Sequence, residues 1–600
     1  MKGLQFFSMG LMGCSLVAQA ATQPPAPVSA KDLTAASPSL TLHAPELTPK
    51  TEVAPIVLAK PSVREAKLPA NFRFTLQSAV VLGSHALPAE QVSAVVKRFV
   101  GKQVRGQDLK QLAKEITELY HQAGYVTSRC FIPPQKIQNG RVVLQVEEDK
   151  LVDLDFSGEH YFDYDKRFFA QFISDLRGKI IHLPTLRERL QKLIRIPAQK
   201  IQPKLVKVGF GASKLVLQIT PLPDQKDITL SNMGSRYTGQ ERLAFTGDWA
   251  NVEGRGDRLQ LSLQTALNPK RFSSAAVLFD YPVGVEAGAL RFSLSRLDYE
   301  LDPKEVGYSA VRYQGSSEAY GVAYHQPWLL QDRINHWLKQ EDDPLPIEAQ
   351  WEVGVDLKDS RSDTVYDQYF SVNNPAGYRY SQGRDKLFVP SIGMQLQHPD
   401  QLFSLAGMNH YQVKFVTAIE GFLGSMTQDE IRRKQENIQH NVEPIKGPIG
   451  DVSGMKAGFS KLYFTYLRQQ SLPKEIQLQV KFHWEYTPDK KVPSDYKFVP
   501  AGGGAKGYSL NIGATRLFAK DLTLGAGLMT DTATNYYQGT ATVCGKTKTV
   551  NGEASCTDSK GYLTAHYEYQ NWHLDAQYFT SVADYDPNGL NFRVALGYRW

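Results

Sequence analysis

Apolar side chains change their spacing twice along this chain, and those changes divide it into stretches of different architecture. Residues 72–82 alternate apolar and polar positions as a strand does. Pro88 then opens a helix that carries Val92, Val95, Val96 and Phe99, and a second helix carries Leu109, Leu112, Ile116 and Leu119. Gly124 ends it, and strands over 125–132 and 141–146 complete a β-α-α-β-β unit. The order then recurs as a strand at 151–156, helices at 165–176 and 186–194, and strands at 204–208 and 214–219. Two copies of one small α/β module, 72–149 and 150–222, are therefore predicted in series. Each can bury a modest core and little more.

Beyond Pro221 the helical spacing gives way to alternation with period two, in segments parted by Gly, Asn, Asp and Pro. Residues 475–486 place Ile476, Leu478, Val480, Phe482, Trp484 and Tyr486 on one face. The opposite face holds Gln477, Gln479, Lys481, His483 and Glu485, the pattern of a strand between lipid and a polar lumen. Leu259, Leu261 and Leu263 likewise oppose Gln260, Ser262 and Gln264. The count to the end is roughly sixteen strands, an even number as bacterial barrels require. The prediction for 223–600 is a 16-stranded antiparallel transmembrane β-barrel. Its last segment alternates Phe592, Val594, Leu596, Tyr598 and Trp600, and such an aromatic C-terminal strand is an assembly signal for the machinery that inserts barrels.

Composition refines this picture. No stretch approaches the roughly 20 apolar residues of a spanning helix. The mean hydropathy of -0.35 looks soluble, but inward polar residues of a barrel cancel outward apolar ones. An aromatic content of 11% suits two interfacial girdles. At the N-terminus Lys2, an apolar run over 4–17 and Ala18-Gln19-Ala20 read as a signal peptide, 1–20. Leu11-Met12-Gly13-Cys14 keeps a lipoprotein processing site open as the alternative. Residues 21–71 form a Pro-rich linker in which 29–36 could make at most a weak helix.

Cys544 and Cys556 flank a short polar segment and are a candidate disulfide in an exported protein. A zinc site is the alternative, although no His lies between them. Cys130 reads as a buried free thiol. The net charge of +7 is spread along the chain without a run and says little about partners; nucleic acid is not expected for an exported barrel. The 13 His show no metal-ligand spacing, and no nucleophile elbow or phosphate loop is present. An enzyme, a metal and a cofactor are therefore not expected.

Tyr120-His-Gln-Ala-Gly124-Tyr125-Val-Thr-Ser-Arg129-Cys-Phe-Ile-Pro133-Pro134-Gln135, followed by 140–146, resembles the first periplasmic domain of two-partner secretion transporters. These are the haemolysin- and adhesin-exporting (TpsB) members of the superfamily of barrels preceded by POTRA domains. Residues 232–239 and 251–259 resemble the first barrel hairpin of the same family. In that family a long loop after the eleventh strand folds into the barrel with a Val-Arg-Gly-Tyr/Phe tip. Here Ala505-Lys506-Gly507-Tyr508 stands in its place, and Asp531 holds the position of the matching wall motif on the thirteenth strand. The resemblance implies that Lys506 and Asp531 pair in the lumen, although Lys lacks the bidentate fork of Arg. It further implies a bacterial outer-membrane protein with POTRA domains in the periplasm. Its partners would be a large secreted exoprotein, outer-membrane lipid and, during biogenesis, the barrel-assembly machinery. The partner would bind by strand addition to an exposed sheet edge or in a helix–strand groove, with the second module's edge near 214–219 as the expected contact. An insertion factor of the same superfamily and a diffusion porin are the alternative functions.

Overall fold

The computed structural model describes residues 57–58 and 73–600, except 159–163, 197–198, 302–310, 329–346, 367–378, 403, 441–444, 450–451, 453, 498–503, 544–545 and 581–589. The expected signal peptide, and the linker apart from 57–58, lie outside the described residues.

A two-residue strand, β1 (Val57–Leu58), precedes the first module. That module contains β2 (Arg73–Thr75), β3 (Ser78–Leu82), α1 (Ala89–Lys97), β4 (Gln103–Arg105), α2 (Gly106–Gln122), β5 (Arg129–Phe131) and β6 (Arg141–Glu147). The single strand expected over 72–82 is two: β2 pairs with β4, while β3 pairs in parallel with β6, which also takes β5. Both helices form where the spacing predicts them. Their inward residues Val92, Val95, Leu109, Leu112 and Ile116 close on Val142, Leu144 and Val146 of β6. Full burial of each such side chain is worth about 1.5–3 kcal/mol.

The second module contains β7 (Lys150–Ser157), α3 (Lys166–Gln171), α4 (Leu183–Ile194), β8 (Gln199–Gly209) and β9 (Ala212–Pro221). Asp165 caps α3 by accepting from the N–H groups of Arg167 and Phe168. Its sheet has the order β1-β8-β9-β7, with β1 parallel to β8. This corrects one expectation. The segment 214–219 lies in β9, a central strand bonded to β8 on one side and β7 on the other, so it offers no edge.

Among the described residues the remainder is a closed barrel of sixteen antiparallel strands. The first, Gln225–Ser231, pairs with the second, Arg242–Ala250, and with the last, Phe592–Arg599. No described helix is long and apolar enough to cross a membrane. Among the described residues two long connections stand out, one where the ninth strand (Leu405–Thr417) leads to the tenth (Ser460–Leu472) and one where the eleventh (Ile476–Tyr486) leads to the twelfth (Lys506–Ala519). The first of these two loops contains a helix, α5 (Gln428–Gln439), and a three-residue strand, Ile445–Gly447.

Candidate functional site

The two modules meet at a rigid joint made from the motif residues. Gly124, at φ +88, accepts the N–H of Leu183 on its carbonyl at 2.9 Å. A Cβ there would lie 2.8 Å from His182 Nε2, so the close approach requires glycine. Tyr125 packs its ring 5.2 Å from His182. Arg129 Nε donates to Glu147 at 3.1 Å, and Lys207 of β8 pairs with both Glu147 and Asp149. Burial opposes the charge on the fully enclosed Glu147. Donors from Lys207, the Gly211 N–H and Arg129 outweigh it and hold the carboxyl below its ordinary range. Glu148 is held low in the same way: burial resists its charge, while the N–H groups of Ala86 and His85 and the Tyr120 hydroxyl favour it. Gln135 bonds both backbone groups of Val143, at 2.7 and 2.8 Å, and so continues the β6 pairing after Pro133 and Pro134. Burial pushes the Cys130 thiol up to about 12, which makes it inert.

The second module is fastened to two turns at one end of the barrel, 251–257 and 284–287. The Asp165 N–H donates to the Gly254 carbonyl at 2.7 Å, and Arg255 Nε reaches the Asp165 carboxylate at 3.1 Å. The Arg255 guanidinium also lies over the rings of Phe168 and Tyr281. Gly256, at φ +74, touches the module so closely that a Cβ would stand 2.7 Å from Ile196. The buried Asp257 shapes this turn by accepting from the N–H groups of Glu253 and Arg255. At the second turn, Lys192 pairs with Glu286 at 2.7 Å. The module is therefore held at this end of the barrel.

At the opposite end the two long loops share a core with the inside of the wall. Met426, Ile431, Val452, Met455 and Phe459 of the first loop pack with Val492 and Tyr496 of the second against Leu387, Val389 and Val416. The strand Ile445–Gly447 runs parallel to the eighth barrel strand (Arg379–Leu402), beside Ser381–Gly383. Asp385, with no exposed surface, accepts from the Ile449 N–H at 2.7 Å and from the Ser494 hydroxyl at 2.9 Å. One carboxylate thus ties both loops to one strand. Asp495 accepts from Ser360 of the seventh strand (Glu348–Tyr366) at 2.6 Å. Lys358 sits 4.5 Å from the centre of the Tyr496 ring. The second loop therefore reaches from the eleventh and twelfth strands across to the seventh and eighth.

The expected loop tip is placed elsewhere. Lys506, Gly507 and Tyr508 open the twelfth strand as part of the wall, and Tyr508 is 41% exposed. The pair between Lys506 and Asp531 does not form. Lys506 Nζ bonds Glu553 at 2.8 Å, whereas Asp531 stands opposite Ser509 in register. Strand register sets this outcome, because Lys506 faces Thr534, three residues beyond Asp531. Cys556 is disulfide-bonded, and Cys544 lies outside the described residues. Phe592, Tyr598 and Trp600 lie on the outer surface of the last strand, where Tyr598 packs on Trp572 at 5.0 Å. The first long loop and Asp385 went unnoticed in the sequence. The capping box Thr427-x-x-Glu430 was the available signal for α5.

Residues 74–149 match the model of the POTRA domain, ShlB-type. The chain is 24% identical over 271 residues to the heme/hemopexin transporter protein HuxB of Haemophilus influenzae, covering 43% of this chain and 46% of that protein. It is also 24% identical over 187 residues to the outer membrane transporter CdiB of Escherichia coli, 31% of each chain. The chain thus spans about half the length or less of the curated relatives it matches. In fold it is similar to CdiB from Escherichia coli, with a TM-score of 0.56 at 15% identity over 91% of this chain and 94% of that one. CdiB from Acinetobacter baumannii gives 0.50 at 14% identity, over 91% and 95%. The first module is thus similar to ShlB-type POTRA domains, and the fold of modules and barrel together is similar to that of CdiB.

Proposed function

We propose that this chain exports a large partner protein through its barrel, from periplasm to cell exterior. The barrel stands in the outer membrane with both modules in the periplasm. The observation that carries the reading is the arrangement of the two ends. The second module is fastened to the periplasmic rim by Arg255–Asp165 and Lys192–Glu286, and two interlocked loops cross the far end. A diffusion pore needs neither feature.

The unfolded partner first meets the modules. The edge of β8 is the docking strand, since the chain's own Val57–Leu58 lies along it in parallel at Lys204 and Leu205. The partner then enters the lumen, whose wall on the eleventh strand carries Gln477, Gln479, Lys481 and His483. Displacement of the loops opens the exit, and folding outside makes the movement one-way. No nucleotide is required.

The test is secretion of the large exoprotein encoded beside this chain, assayed in medium and at the cell surface. Export that depends on the chain supports the reading. Equal export without the chain, together with failure of other barrel proteins to assemble, would replace it with an insertion factor.

A further inference from the structure

The outer surface of the barrel changes character abruptly on four adjacent strands, the fifth (Gly288–Glu300) through the eighth. Leu294, Tyr320, Leu357 and Phe388 stand side by side in register on one outward row. The next row, farther from the periplasmic rim, is Arg296, Glu318, Asp359 and Lys386. The row beyond is Asp298, Ser316, Arg361 and Arg384. On the eighth strand the outward apolar run extends from Phe388 through Ile392 and Met394 to Leu396. At about 3.4 Å per residue and a tilt of about 40°, it rises roughly 20 Å, close to the apolar band of an outer-membrane barrel. Lys386 and Arg384 therefore stand at the level where the headgroups of the outer leaflet begin.

Where the seventh and eighth strands meet, three cations, Arg361, Arg384 and Lys386, stand around Asp359, with Glu318 next to it in the row and Glu430 near Arg384. Arg384 takes the Asp359 carboxylate with two nitrogens, at 2.8 and 2.5 Å, while Arg361 reaches it only at 3.4 Å. Lys386 has no side-chain partner among the described residues. Arg361 and Arg384 also face each other directly across the strands, two like charges that share the Asp359 carboxylate.

An apolar knob adjoins this patch. The chain leaving the ninth strand folds back on the eighth, with the Ile419 N–H on the Phe388 carbonyl at 3.0 Å and the Met426 N–H on the Lys386 carbonyl at 2.8 Å. Between them Phe422 lays its ring 4.5 Å from that of Phe388. Leu423 is held at φ +50 and is 68% exposed, so a strained backbone presents a leucine outward. Cations beside exposed apolar groups fit an anionic amphiphile better than a free anion.

We propose that this surface binds a phosphorylated lipid of the outer leaflet. Its phosphates rest on Arg361, Arg384 and Lys386, and an acyl chain lies along Phe388, Phe422 and Leu423. Arg forks match phosphate geometry, and Lys adds a point charge. The inference rests on the outer-membrane reading but not on secretion.

The test measures binding of lipid A to the purified full chain in detergent, with heat-modifiable migration confirming that each barrel is folded. The triple variant Arg361→Gln, Arg384→Gln, Lys386→Gln should bind more weakly by at least about tenfold, the scale of one lost charge-assisted hydrogen bond. Phe422→Ser with Leu423→Ser should also weaken lipid A binding, and Arg296→Gln on the same outer surface should not. If the triple variant fails to fold, Lys386→Gln alone should still lower affinity severalfold. Unchanged binding in these variants overturns the proposal. So does release of lipid A by millimolar inorganic phosphate, which would mark an anion site without lipid specificity. A chain that holds lipid A but secretes nothing leaves this inference standing and removes the transporter reading, whereas the reverse outcome removes only the lipid site.

Discussion

Replacing Asp385 with alanine should loosen both loops that cross the far end of the barrel. The carboxylate is fully buried and accepts from the Ile449 N–H and the Ser494 hydroxyl, one group from each loop. Its removal leaves a buried backbone donor and a buried hydroxyl without acceptors, at about 1–3 kcal/mol each. The hydroxyl can turn toward another acceptor, and the buried charge no longer has to be desolvated, so about 2–4 kcal/mol is expected. At 1.4 kcal/mol per factor of ten, the loops should open about 30- to 1000-fold more often. Asp385→Asn keeps one acceptor oxygen and the side-chain volume and should fall well below that. The assay is single-channel recording of the full chain in planar bilayers, which counts opening events for the wild type and both variants. An opening frequency for Asp385→Ala within about twofold of wild type would refute the reasoning, because two lost hydrogen bonds of this kind cannot amount to so little.

Other outcomes follow from the same geometry. Glu147→Gln should free the joint between the modules by about 2–4 kcal/mol, less than the full cost of a broken buried pair because Lys207 keeps Asp149. Faster proteolysis between the modules would report it. In the wild type that joint draws stability from a carboxyl with a lowered pKa. The contribution is complete above the ordinary value of 4.5 and disappears as pH falls through the lowered one, so joint proteolysis should rise only below about 4.5. Lys192→Ala should weaken module docking by about 1 kcal/mol or less, since Glu286 is half exposed. Combined with Arg255→Ala it should lower partner secretion without lowering the amount of folded barrel. Lys506→Ala should leave secretion within about twofold of wild type, because its partner Glu553 is 53% exposed. A collapse of secretion in that variant would contradict the wall position found for Lys506.

The barrel and the module helices were legible because each writes a repeating signal into the chain. Ile476 to Tyr486 alternate without a break, and Leu109, Leu112 and Ile116 recur on one helical face. Pairing between distant strands leaves no such trace. Nothing in 214–219 announces that β7, some sixty residues earlier, returns to cover its free side. For the same reason Lys506 and Asp531 looked like partners by motif, while a register of three residues separates them. The loop between the ninth and tenth strands was missed on different grounds. Its core residues Met426, Ile431, Val452 and Met455 are too widely spaced to form a pattern, and they become a cluster only against Leu387 and Val389. Motifs that make tight turns fared better, since Gly124 and Asn251–Asp257 act through local backbone geometry.

How the loops are built also decides how they can move. Phe459 of the first loop and Tyr496 of the second hold their rings 4.8 Å apart, within one apolar cluster that also joins Met426, Ile431 and Val452 to Val492. Separating the loops from each other would break these contacts and expose apolar surface on both, at about 1.5–3 kcal/mol for each side chain returned to water. Moving them together keeps that shared face covered. It gives up the contact with Leu387, Val389 and Val416, the pairing of Ile445–Gly447 with the eighth strand, and polar ties that include Ser360, Asp385 and Lys461. The cheaper opening is therefore a joint displacement of both loops from the seventh and eighth strands. The polar ties favour this route as well, because a passing polar chain can replace hydrogen bonds to Asp385 and Asp495 one at a time, whereas it cannot replace a buried aromatic contact.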